Sequence, residues 1–132
     1  MMPNRGWAAL ASAGVLLLAC DSASAPQDCP SLPITVSVTS STTPTFTWTP
    51  NCVAHELIVY EVRQPSSGGD QPVWIIVGRT ANASVASPIV YGHGPLSMRQ
   101  VTGPLPLVVG RTYRVSILNS ANVEMGSKIF GP

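Results

Sequence analysis

Charged side chains are scarce in this 132-residue sequence, where Asp, Glu, Lys and Arg together make up 10% of the positions. Aromatic residues are scarcer still at 6%, yet 45% of the residues are hydrophobic. Disordered chains combine high charge with low hydrophobicity, so this composition predicts a compact folded chain. With seven basic and six acidic residues the net charge is only +1, which offers no basic surface for binding nucleic acid.

Catalytic sequence patterns are also missing, as are internal repeats and amphipathic helices. The sequence has two histidines, His55 and His93, and neither lies in a context typical of a nucleophile with its base and orienting group. His55 is expected at a solvated strand end beside Glu56. We therefore predict that the protein is not an enzyme and that it uses no cofactor and no metal.

The N-terminal residues have the pattern of an export signal. Arg5 precedes an uncharged apolar run, 8–18, that is about half of the roughly 20 residues needed to cross a bilayer as a helix. The run ends in Leu17-Leu18-Ala19-Cys20, which resembles the lipobox of bacterial lipoproteins. This resemblance implies that residues 1–19 are a lipoprotein signal peptide and that Cys20 is lipidated, so that its acyl chains attach the protein to the membrane.

An ordinary secretory leader is the alternative, because Ala23-Ser24-Ala25 has small residues at the spacing that signal peptidase needs. Pro26 follows directly, however, and proline is poorly accepted there, which favours the lipobox. Removal of the leader takes Arg5 away and leaves six basic and six acidic residues. The resemblance thus implies a neutral protein that is lipid-anchored in the bacterial cell envelope and faces the periplasm or the cell exterior.

Small and polar residues predict a flexible tether over 20–28, and the remaining length allows one domain over 29–132. Runs of Val, Thr, Ser and Ile among 13 prolines and 11 glycines predict short strands joined by turns. Alternating side chains form the first two strands, and a turn at 40–43 joins them as a hairpin. The expected strands lie at 34–39, 45–49, 57–62, 73–77, 88–91, 110–118 and 128–130.

Two parts of this assignment are less determined by the pattern. The segment 92–106 contains three glycines and three prolines and is expected to be a long irregular connection, with at most a brief strand at 98–101. Strand 57–62 is apolar on both faces, so the pattern leaves open whether Val59 or Tyr60 points inward. The sequence therefore predicts an all-β chain of about seven strands.

Two segments resemble a fibronectin type III or related immunoglobulin-like domain. Phe46-Thr47-Trp48-Thr49-Pro50 is similar to the second strand of such domains, and 107–115 is similar to their Leu-x-x-Gly-x-x-Tyr-x-Val segment. Val109 stands where that family usually has proline. The resemblance implies an immunoglobulin-like antiparallel β-sandwich in which the tyrosine hydroxyl bonds back to the preceding loop. The structural core positions that it implies are Trp48, Leu107, Gly110 and Tyr113.

Cys29 and Cys52 are left as a pair if Cys20 is lipidated, and an exported protein meets oxidising conditions. Folding of the first hairpin also brings the start of one strand beside the end of the next, where these two cysteines lie. We therefore predict a Cys29–Cys52 disulfide, which closes a loop of 52 minus 29, or 23, residues. Two buried free thiols are the alternative.

Three further residues are candidates for ligand contact. The imidazole of His93, together with the thioethers of Met98 and Met125, would suit copper(I), whereas a surface histidine is the simpler interpretation. Trp74 and Tyr91 would suit sugar rings if both were exposed, but a tryptophan inside an apolar run is typical of a core residue. Copper binding and carbohydrate binding are therefore alternatives to the leading hypothesis.

That leading hypothesis is a non-catalytic cell-envelope lipoprotein whose sandwich contacts another protein or a surface polymer such as a glycan. An anchor, a tether and a β-domain without reactive groups favour it. Sandwiches bind through loops and exposed edge strands, so edge strands or the 92–106 connection are the expected contact surface. A small-ligand binder, for carbohydrate or copper, is the alternative function.

Overall fold

A computed structural model describes residues 27–29 and 33–132. The predicted signal peptide, 1–19, and Cys20 lie outside the described residues. In the described part the backbone is almost entirely β, and its helical element is one 3-10 turn at Pro65–Ser67. The strands in chain order are β1 (Thr35–Val38), β2 (Thr45–Thr49), β3 (Val53–Ala54), β4 (Glu56–Glu61), β5 (Gln71–Gly78), β6 (Val85–Ala86), β7 (Ile89–Val90), β8 (Met98–Thr102), β9 (Tyr113–Leu118) and β10 (Glu124–Phe130).

Two antiparallel sheets pack against each other. The small sheet has the order β1-β2-β7 and the large sheet the order β10-β9-β4-β5-β8, while β3 and β6 pair separately. Phe46 of the small sheet stacks on Trp74 of the large one, with ring centroids 6.5 Å apart, so the core lies between the sheets. The predicted all-β antiparallel sandwich is confirmed. The described residues form ten strands rather than about seven, because β3 and β6 are short additions and β8 is a full strand.

Alternation of side chains forms the hairpin of β1 and β2. Thr35 lies opposite Thr49 and Val38 opposite Phe46, so every second residue of β2 points into the core. Phe46 and Trp48 are buried there, and each contributes about 1.5–3 kcal/mol relative to an exposed side chain. The threonines between them face outward.

Strand β4 is central in the large sheet, between β9 and β5, and its phase is now determined. Leu57 and Val59 are fully buried between the sheets, whereas Tyr60 is half-buried on the outer face. Ile58 also points outward but is only 9% exposed, because neighbouring strands cover it on both sides. Burial of both faces is the reason that the pattern alone left the phase open.

The C-terminal hairpin differs from the prediction at two positions. Strand β9 begins at Tyr113 rather than at Gly110, because Gly110 adopts φ of 88° in the preceding turn, a conformation that glycine accepts readily. Strand β10 begins at Glu124 rather than at residue 128. The turn between them is short because the Asn119 side-chain oxygen accepts hydrogen bonds from the Val123 and Ala121 N–H groups, at 3.1 and 2.9 Å.

One long side of the sandwich is closed by backbone contact between the sheets. The Ile34 N–H, at the start of β1, donates to the Met125 carbonyl of β10 at 2.9 Å. Gly126 makes this approach possible, since a Cβ there would lie 2.6 Å from the Ile34 carbonyl oxygen. On the opposite side, β7 and β8 are the sheet edges, and the connection between them crosses the gap with Gly94 close to the side chain of Ile76.

The predicted disulfide between Cys29 and Cys52 is present, with their Cα atoms 4.7 Å apart, inside the range that disulfides adopt. It lies at the end of the sandwich where β1 begins and β2 ends, called here the disulfide end. Residues 27–28, which the sequence placed in the tether, already belong to this structure: Val53 donates its N–H to the Gln27 carbonyl at 2.9 Å, and Asp28 pairs with Val53.

Candidate functional site

The two aromatic residues proposed as a sugar platform are core residues. Trp74 is fully buried and Tyr91 is 5% exposed, and their rings meet edge to face with centroids 5.1 Å apart. The exposed-platform interpretation is therefore wrong. Trp74 donates its ring N–H to the Gln100 side-chain oxygen at 3.3 Å, and Tyr91 donates its hydroxyl to the Leu105 carbonyl at 2.7 Å. Burial raises the pKa of Tyr91 to about 12.

Each of the four positions that the resemblance implied as structural lies in the core or in a turn of the backbone. Trp48 is buried and donates its ring N–H to the Cys52 carbonyl at 2.9 Å. Tyr113 is also buried, and its hydroxyl oxygen accepts the Val108 N–H at 2.9 Å, the hydrogen bond to the preceding loop that the resemblance implied. Leu107 is buried in the core as well, and Gly110 forms the turn between Leu107 and Tyr113.

The first histidine is more enclosed than the expected solvated strand end. The His55 ring is half-buried and packs against Gly78. Its Nδ1 lies 3.0 Å from the Ala83 carbonyl oxygen. Because a carbonyl only accepts, the proton is on Nδ1 and the ring acts as a bridge that holds the 79–84 turn against β4. The role of the His55 side chain is therefore structural.

The proposed copper ligands do not meet. Met98 in β8 and Met125 in β10 are both buried, and these strands form opposite edges of the large sheet. Four interstrand spacings of about 4.8 Å separate them, or roughly 19 Å. His93, Met98 and Met125 therefore do not form one site. Among residues 27–29 and 33–132, no three His, Cys, Asp or Glu side chains are grouped so as to hold a metal ion.

Charged residues form small surface clusters away from His93. Glu61 accepts hydrogen bonds from Arg63 and Arg111, each at 2.9 Å, and the bond from Arg63 is the main reason that the pKa of Glu61 lies below its ordinary value. Arg114 lies over the Tyr60 ring, 5.0 Å from its centroid. Both arginines of the first cluster are well exposed, and exposed ion pairs contribute little to stability.

The second histidine lies where two grooves meet. The side groove, of about 440 Å³, runs along the open edge of β7 and is formed by 84–86, 88–90, His93 and Pro95. The end groove, of about 540 Å³, lies at the end of the sandwich opposite the disulfide and is formed by 42–43, 91–93 and 104–107. Neither groove is lined by an Asp, Glu, Lys or Arg side chain.

Backbone geometry holds His93 at this junction. Its N–H donates to the Val90 carbonyl at 3.0 Å, which closes a tight turn after β7. Its Nδ1 lies 3.1 Å from the Tyr91 carbonyl oxygen, and because the carbonyl accepts, the proton is on Nδ1. In the neutral ring Nε2 is then an acceptor, and it has no hydrogen-bond partner in the described part of the chain. The His93 side chain is exposed to solvent.

Exposed aliphatic side chains line the grooves or are close in sequence to residues that line them. Val90 is 38% exposed, Leu105 is 51% exposed, and Leu96 on the connection after His93 is 92% exposed. The next loop adds Val108 and Val109, which are also exposed. Single exposed aliphatic residues are common, but a cluster of them beside concave apolar walls is typical of a protein-binding surface.

The backbone of the β7 edge has little capacity to pair with another strand. Tyr91 donates its N–H to Pro44 of the small sheet, so the neighbouring Val90 points its own polar groups toward the open side. There the Val90 carbonyl is already bonded to His93, and Pro88 has no N–H to donate. This edge is therefore protected against strand addition, and contact here relies on side chains.

No protein-family model matches the sequence, and no curated protein or solved structure is detectably similar to it. No helix within 27–29 and 33–132 has the length and hydropathy of a bilayer-spanning segment.

Proposed function

We propose that this protein is a lipid-anchored lipoprotein of the bacterial cell envelope whose β-sandwich binds another protein, without catalysis and without a cofactor, through the surface around His93. The observation that carries the proposal is the meeting of two apolar grooves, of about 440 and 540 Å³, beside exposed Val90, Leu96 and Leu105. Apolar concave surface of this kind favours association because its burial removes it from water.

The chemistry of the groove walls favours a protein over a glycan as the partner. Sugar rings bind well against exposed aromatic faces, and Trp74 and Tyr91 bury theirs in the core. The walls instead consist of aliphatic side chains and proline rings, with the hydroxyls of Thr42 and Thr43 at one rim. Their complement is an uncharged, mainly aliphatic protein surface that donates one hydrogen bond to His93 Nε2.

Attachment through Cys20 agrees with the position of this surface. The described chain enters at the disulfide end, whereas the end groove opens beyond the opposite end of β2. Five residues of β2 separate the two ends, a distance of about 16 Å at 3.3 Å per residue. A lipid on Cys20 would therefore leave the end groove facing away from the membrane. The disulfide also favours an oxidising compartment outside the cytosol.

The fibronectin type III-like identity is part of the same proposal. The order β1-β2-β7 corresponds to strands A-B-E of such domains, and β10-β9-β4-β5 corresponds to G-F-C-C′. The Val108 to Tyr113 hydrogen bond supports it further. Strand β8 is an addition, because it lies between β7 and β9 in the chain and therefore lengthens the connection from E to F.

Site-specific photo-cross-linking tests the contact surface. We would place a photoreactive amino acid at Val90 or Leu105 and, as controls, at Ser37 or Thr47, which are exposed on the outer face of the small sheet. A discrete partner is expected to cross-link in whole cells from the two groove positions and not from the controls. Equal capture from all four positions would contradict the assignment.

Binding by the purified partner supplies the second measurement. Burying Leu105 contributes about 1.5–3 kcal/mol, so Leu105→Asp should weaken binding about tenfold or more. Thr47→Asp is the matched control and should leave the affinity unchanged. A partner that binds Leu105→Asp as tightly as the unmodified domain would overturn the proposed surface.

Metabolic labelling tests the anchor separately. Radiolabelled palmitate should be incorporated into the full-length protein, and both Cys20→Ala and globomycin treatment should abolish the label. Globomycin should also cause the precursor to accumulate. A mature protein without label would refute the anchor while leaving the groove experiment valid.

A further inference from the structure

The β1–β2 hairpin is unusually rich in hydroxyl side chains. Ten of the 15 residues from Thr35 to Thr49 are Ser or Thr, and none of the 15 is charged. On the two strands this composition has a structural reason, because threonine is a good strand-forming residue at outward positions. The loop between the strands, Thr39 to Thr43, is also rich in hydroxyl side chains, but strand propensity does not explain them there.

Three hydroxyl groups of this loop maintain its shape. The Thr39 hydroxyl oxygen accepts the Thr45 N–H at 2.8 Å. The Ser41 hydroxyl oxygen accepts the Thr43 N–H at 3.1 Å and also contacts the Thr43 hydroxyl at 3.4 Å. Pro44 is fully buried and anchors the end of the loop in the core.

The remaining two hydroxyl groups are on exposed side chains. Ser40 and Thr42 are exposed, and neither side chain has a hydrogen-bond partner among the residues that the structure describes. The local hydrogen bonds of their neighbours thus fix the turn that carries these two exposed side chains. Thr42 also forms part of the wall of the end groove.

We propose that Thr42 is the acceptor of an O-linked sugar, with Ser40 as a secondary acceptor. Ser- and Thr-rich segments that contain proline are typical of O-glycosylated chains. In the reaction, the Thr42 hydroxyl oxygen attacks the anomeric carbon of a sugar that a polyprenyl phosphate carries. The bond from that carbon to the phosphate oxygen breaks, the phosphate leaves with the electron pair, and the hydroxyl proton passes to a base of the glycosyltransferase.

The disulfide favours sugar transfer over phosphorylation. Cys29 and Cys52 are bonded, and such bonds persist outside the reducing cytosol, where lipid-linked sugars are the available donors and ATP is scarce. This step rests on the export that the proposed function also assumes. The acceptor assignment itself depends on the loop and not on any binding partner.

Mass spectrometry of the protein purified from the envelope of its source organism tests the inference. The intact mass should exceed that of the lipidated chain by whole sugar residues, and fragmentation that preserves the linkage should place them on Thr42 or Ser40. The double variant Ser40→Ala, Thr42→Ala should lose the added mass. Thr47→Ala, which removes an exposed hydroxyl from strand β2 of the same hairpin, is the matched control and should retain it.

Two results would refute the acceptor assignment. One is an intact mass equal to that of the lipidated chain without sugar, and the other is added sugar that persists in the double variant. Palmitate labelling of the same samples distinguishes the two proposals. A labelled protein without sugar refutes the O-linked modification alone, whereas an unlabelled cytosolic protein refutes the proposed anchor.

Discussion

Removal of the Tyr91 hydroxyl should destabilise the domain, because this hydroxyl bonds to the Leu105 carbonyl and also lies 3.4 Å from the Val73 carbonyl. This hydroxyl donates to the Leu105 carbonyl at 2.7 Å and thereby ties the 103–107 segment across the open side of the sandwich. Leu105 also donates its own N–H to the Val73 carbonyl at 3.0 Å, so the segment is held at two points on the same residue. Tyr91→Phe removes the hydrogen bond from the hydroxyl and leaves the Leu105 carbonyl without this donor.

The expected cost is about 1–3 kcal/mol, the usual penalty for leaving a buried or half-buried polar group unpaired. With an m-value of about 1.5 kcal/mol per molar urea, a loss near 1.5 kcal/mol lowers the unfolding midpoint by about 1 M. Urea unfolding followed by tryptophan fluorescence measures this shift. The ring is retained in the variant, so loss of packing does not contribute.

Tyr60→Phe is the matched control. Tyr60 lies on the outer face beside Arg114, and its hydroxyl has no hydrogen-bond partner in the part of the chain that the structure describes. Its removal should change stability by less than about 0.5 kcal/mol. Equal midpoints for the two variants would refute the role given to the Tyr91 hydrogen bond.

Three other predictions concern stability. Burial raises the pKa of Tyr91 from 10.0 to about 12, so the unfolded chain loses this proton at a lower pH than the folded chain. The free energy of unfolding should therefore fall between pH 10 and 12, and it should fall less in Tyr91→Phe. Urea unfolding at each pH measures both. Gly126→Ala should lower the free energy of unfolding by about 1–3 kcal/mol, because the added Cβ would lie 2.6 Å from the Ile34 carbonyl oxygen. Gly131→Ala is the control, since its Cβ makes an ordinary contact at 3.6 Å. Equal melting temperatures for the two variants would contradict the prediction. Replacing Cys29 and Cys52 with alanine should cost about 3 to 4 kcal/mol by loop entropy, and an unchanged unfolding free energy would show that the bond constrains nothing.

Several elements of the fold were predictable because they depend on local alternation. In the first hairpin, Phe46 and Trp48 alternate with threonines, so one face is apolar and the register follows from the pattern. The disulfide followed from the same hairpin. Strand β8 was expected as a brief strand at most, because glycines and prolines on both sides of it are typical of a loop.

The candidate site was only partly predictable. The 92–106 connection was expected as a contact surface, and His93 was a candidate for ligand contact because of its imidazole. Both expectations fall on residues that line the grooves. The copper set of His93, Met98 and Met125 is not brought together, and Trp74 and Tyr91 are buried rather than exposed to sugar. Leu96 and Leu105 were a usable signal that the sequence interpretation missed, since aliphatic side chains beside proline and glycine in a loop have few ways to become buried.

The grooves themselves required the tertiary structure. The end groove is built from 42–43, 91–93 and 104–107, three segments that are distant in the sequence. They meet because β7 pairs with β2 while the following connection crosses to the edge of the large sheet. No local pattern encodes that crossing, since it depends on which strands become edges.

By itself the sequence determined the all-β class, the first hairpin with its buried Trp48, and the disulfide partners. These follow from side-chain alternation and from the chemistry of paired cysteines, both of which act over short or countable distances. The tertiary structure alone decided that Val59 points inward and that Tyr91 closes the core. It also decided that His93 lies where two grooves meet. Burial of a side chain depends on which residues pack against it from the opposite sheet, and the sequence of one strand does not specify those residues.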